Sequence, residues 1–349
     1  MTTFHDPERT IEFEFVRATE NAALNAMHWI GRGEKELADA AACDAIYGVF
    51  DLVDIRGEVV IGEGIKDNAP GIFLGDRLGT WKDGAPHFDI ALDPIDGTTN
   101  ISKGMSNSIS VMAAAESLDG QRAMQNIPSF YVHKLAYGPA VDAAVRARGL
   151  QHNLLDQPLA ETLQLVSKAL GKRIGELVVL VLDRERNQEI IEAVRSAGVS
   201  LRMVADGDIN AAVAPSLPDS GIDLYIGSGG TPEGILTAVA LRTLGGDIQM
   251  RMYFRDEAER DELGAGLSAA ELRRVYTAEE IVPGDSAIFC ATGITDSPLL
   301  PGLKLIGNTV TTYSILMRAR SRTVRYIHAV HNLEHKIIHL RSDGSDHKI

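Results

Sequence analysis

Apolar residues recur at helical spacing in two long segments near the start of the chain. In residues 11–30 the apolar side chains follow one another at intervals of three and four, which places them on one face of a helix. Residues 34–53 resume the pattern after Gly31 and Gly33 interrupt it. The sequence therefore predicts two consecutive amphipathic helices.

From Gly57 onward, short apolar runs bounded by glycine, proline or aspartate are typical of buried strands. They predict strands over 58–61, 88–92, 108–115, 177–182, 199–204, 223–226 and 287–291, and helices over 161–170, 187–197, 208–214 and 232–244. Thr231 is the expected N-cap of the last helix, with Pro232 at its first position. Residues 255–280 are expected to form a charged helical excursion on the surface. Alternating strands and helices indicate a layered α/β fold.

Composition narrows the function classes. The chain has 349 residues, which suggests about two domains, and we place the boundary near residues 140–160. A net charge of −14 argues against nucleic acid or an anionic membrane as a partner. Two cysteines far apart, no signal-peptide pattern and no apolar stretch long enough to cross a bilayer predict a cytoplasmic protein.

Carboxylates at glycine turns are the first candidates for chemistry. Three segments place them at strand ends or tight turns: Gly62-Glu63-Gly64, Asp93-Pro-Ile-Asp-Gly-Thr98 and Pro232-Glu233-Gly234. Converging carboxylates repel unless a cation lies between them, and an all-oxygen ligand set suits Mg²⁺ or Mn²⁺. An Asp-Pro-x-Asp-Gly segment alone is compatible with a plain surface turn. The apolar strand before it and Thr-Thr-Asn after it favour a metal site.

Other segments leave alternatives open. Gly227 to Thr231, before a helix, is either an anion cradle or a tight strand–helix turn. Asp206-Gly-Asp208 is either an N-capped helix start or a group that accepts hydrogen bonds from sugar hydroxyls. Candidate phosphate-binding cations are Lys35, Arg184, Arg186 and a late basic run, Arg318, Arg320, Arg322 and Arg325, which could equally be solvated surface.

His331, His335 and His339 are spaced by four residues, so a C-terminal helix would place them on one face. Such a face is a possible zinc site, but no nearby glutamate is placed as a general base. A solvated helix face is the more economical interpretation.

These motifs together resemble a known family. Asp93-Pro-Ile-Asp-Gly-Thr98 is similar to the signature of the lithium-sensitive, metal-dependent sugar and inositol phosphatases. Further segments narrow the resemblance to class II fructose-1,6-bisphosphatases, including the dual fructose/sedoheptulose bisphosphatases. They are Trp29-Ile-Gly-Arg-Gly-Glu-Lys35, Val60-Ile-Gly-Glu-Gly64, Asp206-Gly-Asp208, Gly229-Gly-Thr-Pro-Glu-Gly234, Ala291-Thr-Gly-Ile-Thr295 and Ser321-Arg-Thr323. The resemblance covers roughly residues 11–335.

The resemblance implies an αβαβα layered fold and hydrolysis of the 1-phosphate of fructose 1,6-bisphosphate in gluconeogenesis, with Mg²⁺ or Mn²⁺. It implies a metal-binding α/β subdomain over 1–150 and a sugar-phosphate-binding α/β subdomain over 151–341 that contributes Glu233. Residues 342–349 are expected to be a flexible tail. Positions matching the family's metal ligands are Asp39, Glu63, Asp93, Asp96 and Glu233. Positions matching catalytic residues are Lys35, Asp67 and Thr98. Positions matching substrate contacts are Asp96, Gly97, Thr98, Tyr131, Arg184, Arg186, Asp206, Asp208 and Gly230.

Four departures from the family pattern bear on these assignments. Asp96 stands where many members have glutamate, and Ile65 replaces a common acidic residue beside the site. Asn187 replaces a common histidine, and Arg184-Glu185-Arg186 differs from the usual basic-Pro-Arg. The last two affect the identity of the sugar more than hydrolysis itself.

Three other functions remain open from the sequence. The chain could act on another sugar bisphosphate, such as sedoheptulose 1,7-bisphosphate or a heptose bisphosphate. It could be an inositol-monophosphatase-like enzyme, or a catalytically silent sugar-phosphate-binding protein. In each case we expect a small-molecule ligand, no nucleic acid, no membrane, and a homo-oligomer, either a dimer or a tetramer.

Overall fold

A computed structural model describes residues 6–62, 71–118, 120–342 and 344–348. The chain first forms α1 (Pro7–Ala26), α2 (Lys35–Phe50), β1 (Arg56–Ile61), β2 (Arg77–Leu78), β3 (His87–Asp96), α3 (Thr98–Lys103) and β4 (Ile109–Glu116). It continues through β5 (Tyr131–Tyr137), α4 (Pro139–Ala147), α5 (Leu159–Leu170), β6 (Val178–Leu182), α6 (Gln188–Ser196), β7 (Ser200–Val204), α7 (Asp208–Val213), β8 (Leu224–Gly230), α8 (Thr231–Leu244) and β9 (Asp247–Tyr253). The last elements are α9 (Glu257–Leu263), α10 (Ala269–Leu272), α11 (Ala278–Ile281), β10 (Ile288–Gly293), β11 (Lys304–Ile306), β12 (Thr309–Arg318), β13 (Thr323–Asn332), β14 (Ile337–Leu340) and β15 (Ser345–Lys348).

The elements divide into two compact units. The first unit contains the residues up to Met124 together with those from Gly284 onward, and the second contains Gln125–Pro283. This division differs from the boundary expected near residue 150. The chain returns to the first unit after residue 283 because β10 pairs with β4 and β12 pairs with β10, which places late strands in a sheet begun by early ones. A linear reading of the sequence does not reveal such a return.

The first unit is built on an eight-stranded sheet. Its order is β11-β12-β10-β4-β3-β1-β2, with β13 paired to β12 along its whole length. The pairing of β1 with β3 is parallel, and the other pairs are antiparallel. Helices α1 and α2 pack against each other and against this sheet, and Phe15 and Phe50 meet edge to face at 5.3 Å in the core.

The N-terminus of α1 is attached to β12 by buried charges. Arg318 is 9% exposed and donates to Glu8 at 2.6 Å and to Asp6. Arg320 lies 3.6 Å from Asp6 and 3.8 Å from Glu8. Two arginines of the late basic run therefore bind the chain's own carboxylates.

The second unit is built on a five-stranded sheet of order β7-β6-β8-β5-β9. Strands β6, β7 and β8 are parallel, and β5 is antiparallel to both β8 and β9. Helices α4, α5 and α6 contribute apolar side chains to the core beside it. Two helix-covered sheets confirm the layered α/β class. No helix in the described ranges has the length and apolarity needed to span a bilayer.

Three local predictions are wrong: the histidine helix, the loop at residues 227–230 and the N-cap at Thr231. The segment carrying His331 and His339 forms strands β13 and β14, not a helix. Residues 345–348 form β15, which pairs with β14, in the segment for which a flexible tail was expected. A spacing of four is even, so it also places side chains on one face of a strand. Residues 227–230 continue β8 because they pair residue by residue with β5. Helix α8 consequently has Gly230 at its N-cap, and Thr231 is its first residue.

Asp247, the first residue of β9, has a buried carboxyl group. We therefore expect the stability of the fold to depend on pH in a specific way. The Asp247 side chain is 1% exposed, and burial raises its pKa from 3.8 to about 6. Its Oδ1 accepts the N–H groups of Ile248 (2.8 Å) and Ala278 (2.9 Å), and Asn can keep these bonds. Below pH 4 the carboxyl is protonated in both the folded and unfolded states. Between pH 4 and 6 the unfolded chain ionises first, so ionisation favours unfolding.

We therefore expect the free energy of unfolding of the wild type to fall relative to that of Asp247→Asn as the pH rises from 4 to 6, by about 3 kcal/mol at most. Above pH 6 the difference should be constant. Urea unfolding of both proteins at several pH values measures it. A difference that is constant from pH 4 to 7 would contradict the raised pKa.

Candidate active site

The acidic end of β3 contains a β-bulge. Asp93 pairs with Val111 on β4 and Asp96 pairs with Ile109, so the two residues between the aspartates face the one residue between Ile109 and Val111. In a regular strand, residues three apart point to opposite faces, and the one extra residue restores both aspartates to the same face. Pro94, which has no N–H to donate, occupies the irregular stretch. The bulge therefore places the Asp93 and Asp96 side chains on the same face of β3.

The turn after Asp96 requires glycine. Gly97 has a φ of +95°, and a Cβ there would lie 2.4 Å from the carbonyl oxygen of Asn107. The Gly97 carbonyl accepts the hydroxyl of Ser108 at 2.8 Å and the N–H of Asn100 at 3.0 Å. Thr98 follows directly as the first residue of α3 and is partly exposed. The turn thus fixes Thr98 next to the aspartate pair.

Helix α2 carries Lys35 and Asp39 on consecutive turns and packs against both β3 and α3. The loop before it is tied to α3, because Gly31 donates to Ile101 at 2.8 Å and Gly33 donates to Ser102 at 2.8 Å. Asp39 is 7% exposed. Lys35 is more than half exposed and lies 3.5 Å from Glu36.

The chemistry of these donors fits a hard divalent cation. Asp39, Asp93 and Asp96 offer only oxygen ligands, and Asp39 and Asp96 are both nearly buried. Within the ranges that the structure describes, no group of three or more His, Cys, Asp or Glu side chains is arranged to hold a metal ion. The predicted ligand Glu63 and the predicted catalytic residue Asp67 lie outside the described residues, as does Ile65.

In the second unit, two arginines extend from the turn between β6 and α6. Arg184 donates to Asp206 at 3.1 Å, which brings together two predicted substrate contacts. Arg186 donates from Nε to the Ser228 carbonyl at 2.8 Å, and its guanidinium lies 4.7 Å from the centre of the Tyr131 ring. Arg186 and Tyr131, predicted from distant parts of the sequence, therefore lie side by side.

Asn187, the departure from the family pattern, has a structural role. It is fully buried; its Oδ1 accepts the Ser228 N–H at 2.7 Å, and its Nδ2 donates to the carbonyl of Leu182 at 3.1 Å. It thereby joins the arginine turn to β8. Beside it, His133 bonds the Ser228 hydroxyl at 2.8 Å, and burial lowers the pKa of His133 to about 4, so the ring is neutral at pH 7.

A buried charge pair that sequence analysis missed lies under the glycine end of β8. Lys134 on β5 is fully buried and donates to Asp208 at 2.6 Å. Tyr225 donates to the other oxygen of Asp208 at 2.5 Å, and burial together with this carboxylate raises the pKa of Tyr225. Asp208 therefore anchors the interior whatever else it binds. The sequence signal was a lysine inside the largely apolar strand Tyr131–Tyr137.

Gly230 and Glu233 meet at the start of α8. A Cβ on Gly230 would lie 2.0 Å from Glu233 Oε2, so only glycine lets this carboxylate fold back over the first turn. Both residues were singled out from the sequence, one as a substrate contact and the other as a metal ligand. The structure places them in contact.

Comparison with known proteins gives the family. The model of the bacterial fructose-1,6-bisphosphatases, glpX-encoded, matches residues 9–331. A class 2 fructose-1,6-bisphosphatase of Haemophilus influenzae is 37% identical over 345 residues, covering 95% of this chain and 99% of that protein. Fructose-1,6-bisphosphatase 1 class 2 of Escherichia coli K12 is 36% identical over 339 residues, covering 94% and 97% of the two chains.

An α/β fold with acidic strand ends, matched over nearly its full length, defines a phosphoric monoester hydrolase. The chain belongs to the class II fructose-1,6-bisphosphatase family.

The buried pair of Lys134 and Asp208 generates a stability prediction. Lys134→Met leaves the Asp208 carboxylate buried without its cation, and we expect the free energy of unfolding to fall by about 3–5 kcal/mol. The double variant Lys134→Met/Asp208→Asn removes both charges and should recover most of that loss. Urea unfolding at pH 7 measures all three proteins. Equal losses in the single and double variants would show that packing, not charge, dominates at Lys134.

Proposed function

We propose that the chain hydrolyses the 1-phosphate of fructose 1,6-bisphosphate, giving fructose 6-phosphate and phosphate, with Mg²⁺ or Mn²⁺. Family membership over almost the whole chain supports the reaction. The observation that carries it to this site is the β3 bulge, which turns Asp93 and Asp96 to one face beside Gly97 and Thr98. Two adjacent carboxylates need a cation to offset their repulsion, and a phosphate ester supplies further oxygen ligands.

The proposed metal ligands are carboxylates from several elements: Asp39, Glu63, Asp93, Asp96 and Glu233. Bound Mg²⁺ or Mn²⁺ supplies Lewis-acid chemistry, which lowers the pKa of a coordinated water and offsets charge on the phosphoryl group. Asp96 is one methylene shorter than glutamate. The bulge places it on the same face of β3 as Asp93.

The proposed catalytic residues act on the water and the 1-phosphate. Thr98 and Asp67 orient the attacking water, the Asp67 carboxylate accepts its proton, and Lys35 contributes a positive charge at the start of α2. Gly97 allows the backbone to approach the phosphate closely, because it has no side chain.

The second unit supplies the proposed contacts to the rest of the substrate. Arg184 and Arg186 bind the distal phosphate, with Tyr131 beside Arg186. Asp206 and Asp208 accept hydrogen bonds from sugar hydroxyls, and the backbone of Gly230 contacts the sugar. The pairing of Arg184 with Asp206 supports a shared site for phosphate and hydroxyl recognition.

One specific observation keeps a second substrate in view. Asn187 stands where the family commonly has histidine. Its side-chain amide is hydrogen-bonded to backbone groups, so it has fewer hydrogen bonds to offer a sugar than a histidine would. This departure from histidine keeps sedoheptulose 1,7-bisphosphate as a second candidate substrate. Phosphate release from fructose and sedoheptulose bisphosphates, heptose bisphosphates and inositol monophosphate, each with Mg²⁺ and Mn²⁺, ranks these substrates.

Replacement of a proposed metal ligand tests the reaction itself. We expect Asp93→Asn to lower kcat/KM for fructose 1,6-bisphosphate by about 100-fold or more, since it weakens transition-state charge stabilisation. Excess EDTA should abolish activity, and Mg²⁺ or Mn²⁺ should restore it. Asp83→Asn, in an exposed turn, is the matched control and should leave the rate unchanged. Undiminished phosphate release by Asp93→Asn, or release in excess EDTA, would refute the proposal.

A further inference from the structure

Arg255 lies at the same end of the second unit's sheet as Tyr131. It follows β9, whose last residue, Tyr253, pairs with Tyr131 on β5. The Arg255 guanidinium lies 5.8 Å from the centre of the Tyr131 ring and 5.9 Å from that of Phe130. A residue from the charged segment after β9 thus reaches an aromatic side chain already assigned to the substrate.

Arg255 is held in place by a buried carboxylate. Glu259, 6% exposed, accepts the Arg255 backbone N–H at 2.7 Å and its Nε at 3.0 Å through the same oxygen. Asp256 caps the helix that carries Glu259 by accepting the Glu259 N–H at 2.8 Å. An arginine fixed at both backbone and Nε has lost much of its conformational freedom, although its side chain is 58% exposed.

Arg186 is arranged in the same way on the same ring. Its Nε donates to the Ser228 carbonyl, and no carboxylate of the described chain lies within ion-pair distance of it. In both arginines the fixed donor is Nε, and within the described ranges neither Nη group donates to the protein. A guanidinium has five N–H donors, so each retains four for a ligand.

Two guanidinium groups beside one ring repel each other, and a bound anion would offset this repulsion. Glu259 offsets part of the charge of Arg255. Within the guanidinium it bonds only Nε, so the two Nη atoms at the outer edge remain available to a ligand. A dianionic phosphate presents several acceptor oxygens and matches the forked geometry of arginine. Tyr131 provides a flat surface against which both cations are held at cation–π distance.

We propose that Arg255 is a third arginine of the distal-phosphate site, binding the 6-phosphate together with Arg184 and Arg186, and that it strengthens the binding of sugars that carry this phosphate. The inference rests on the proposed function, which places the distal phosphate at Arg186. Glu259 is a positioning residue that directs the outer edge of Arg255 toward the ligand.

Binding of fructose 6-phosphate, measured by isothermal titration calorimetry, tests this without turnover. Arg255→Ala should weaken binding about tenfold or more, because a charge-assisted contact to the phosphate is lost. Arg255→Lys keeps the charge without the fork and should weaken it less. Binding of fructose 1-phosphate, which lacks the distal phosphate, should change less than twofold in both variants.

Arg274→Ala is the matched control. Arg274 also stacks on a tyrosine, Tyr276 at 4.6 Å, and bonds a glutamate, Glu280 at 3.2 Å, with a similarly exposed side chain. It should bind fructose 6-phosphate like the wild type, and thermal unfolding should show that both alanine variants fold. Wild-type affinity for fructose 6-phosphate in Arg255→Ala, or an equal loss in Arg274→Ala, would overturn the inference.

The two proposals fail in distinguishable ways. Phosphate release from fructose 1,6-bisphosphate by the wild type, together with its loss in Asp93→Asn, establishes the reaction independently of Arg255. If the reaction is present and Arg255→Ala binds fructose 6-phosphate normally, only the role of Arg255 is wrong. If wild-type protein neither binds fructose 6-phosphate nor hydrolyses the bisphosphate, the proposed function itself is wrong, and Arg255 loses its assignment with it.

Discussion

The single extra residue in β3 is the constraint on which the acidic site of the first unit depends. Without the bulge, Asp93 and Asp96 would point to opposite faces of the sheet, and no choice of side chain would bring them together. The left-handed turn at Gly97 then redirects the chain into α3 at once, so Thr98 cannot drift from the pair. Backbone geometry, more than side-chain identity, thus concentrates negative charge where a cation can bind.

In the second unit the local charge comes from fixed cations rather than from clustered carboxylates. The fully buried Lys134 neutralises Asp208 within the sheet, while Arg186 and Arg255 have their Nε atoms bonded and their outer edges available. An acidic protein must attract a substrate that carries two phosphates. Fixing a few arginines by hydrogen bonds to the protein creates a local positive field despite the net charge of −14. The same bonds reduce the entropy that each arginine loses when it binds a phosphate.

From the apolar periodicity of the sequence, most of the longer helices but only about half of the strands could be predicted. The long helices α1, α2 and α8 and the buried strands β3, β4 and β6 all lie near their predicted ranges. Two segments failed for a shared reason. The spacing of four between the histidines is compatible with a helix and with a strand, and the glycines of residues 227–230 give no periodicity. In both segments, pairing with distant strands determines the secondary structure.

The residues of the candidate site show the same difference between local patterns and long-range contacts. Motifs local in sequence, such as Asp93 to Thr98 and the segment that contains Gly230 and Glu233, could be singled out. Contacts between distant segments could not. Lys134 beside Asp208, and Arg255 beside Tyr131, depend on which strands are neighbours in the sheet, and single-sequence patterns do not contain that information. Glu63, Asp67 and the other assigned roles stay predictions.

The discontinuity of the first unit has a consequence for how the chain folds. Its sheet lacks β10 and β12 until the whole of the second unit has been synthesised, whereas the second unit is continuous and can fold as soon as it leaves the ribosome. Strands β3 and β4, which carry the clustered carboxylates, are synthesised early. Until β10 is synthesised, one edge of β4 has no strand to pair with. Pairing of residues 288–318 with β4 is therefore a long-range closure, a type of contact that slows folding.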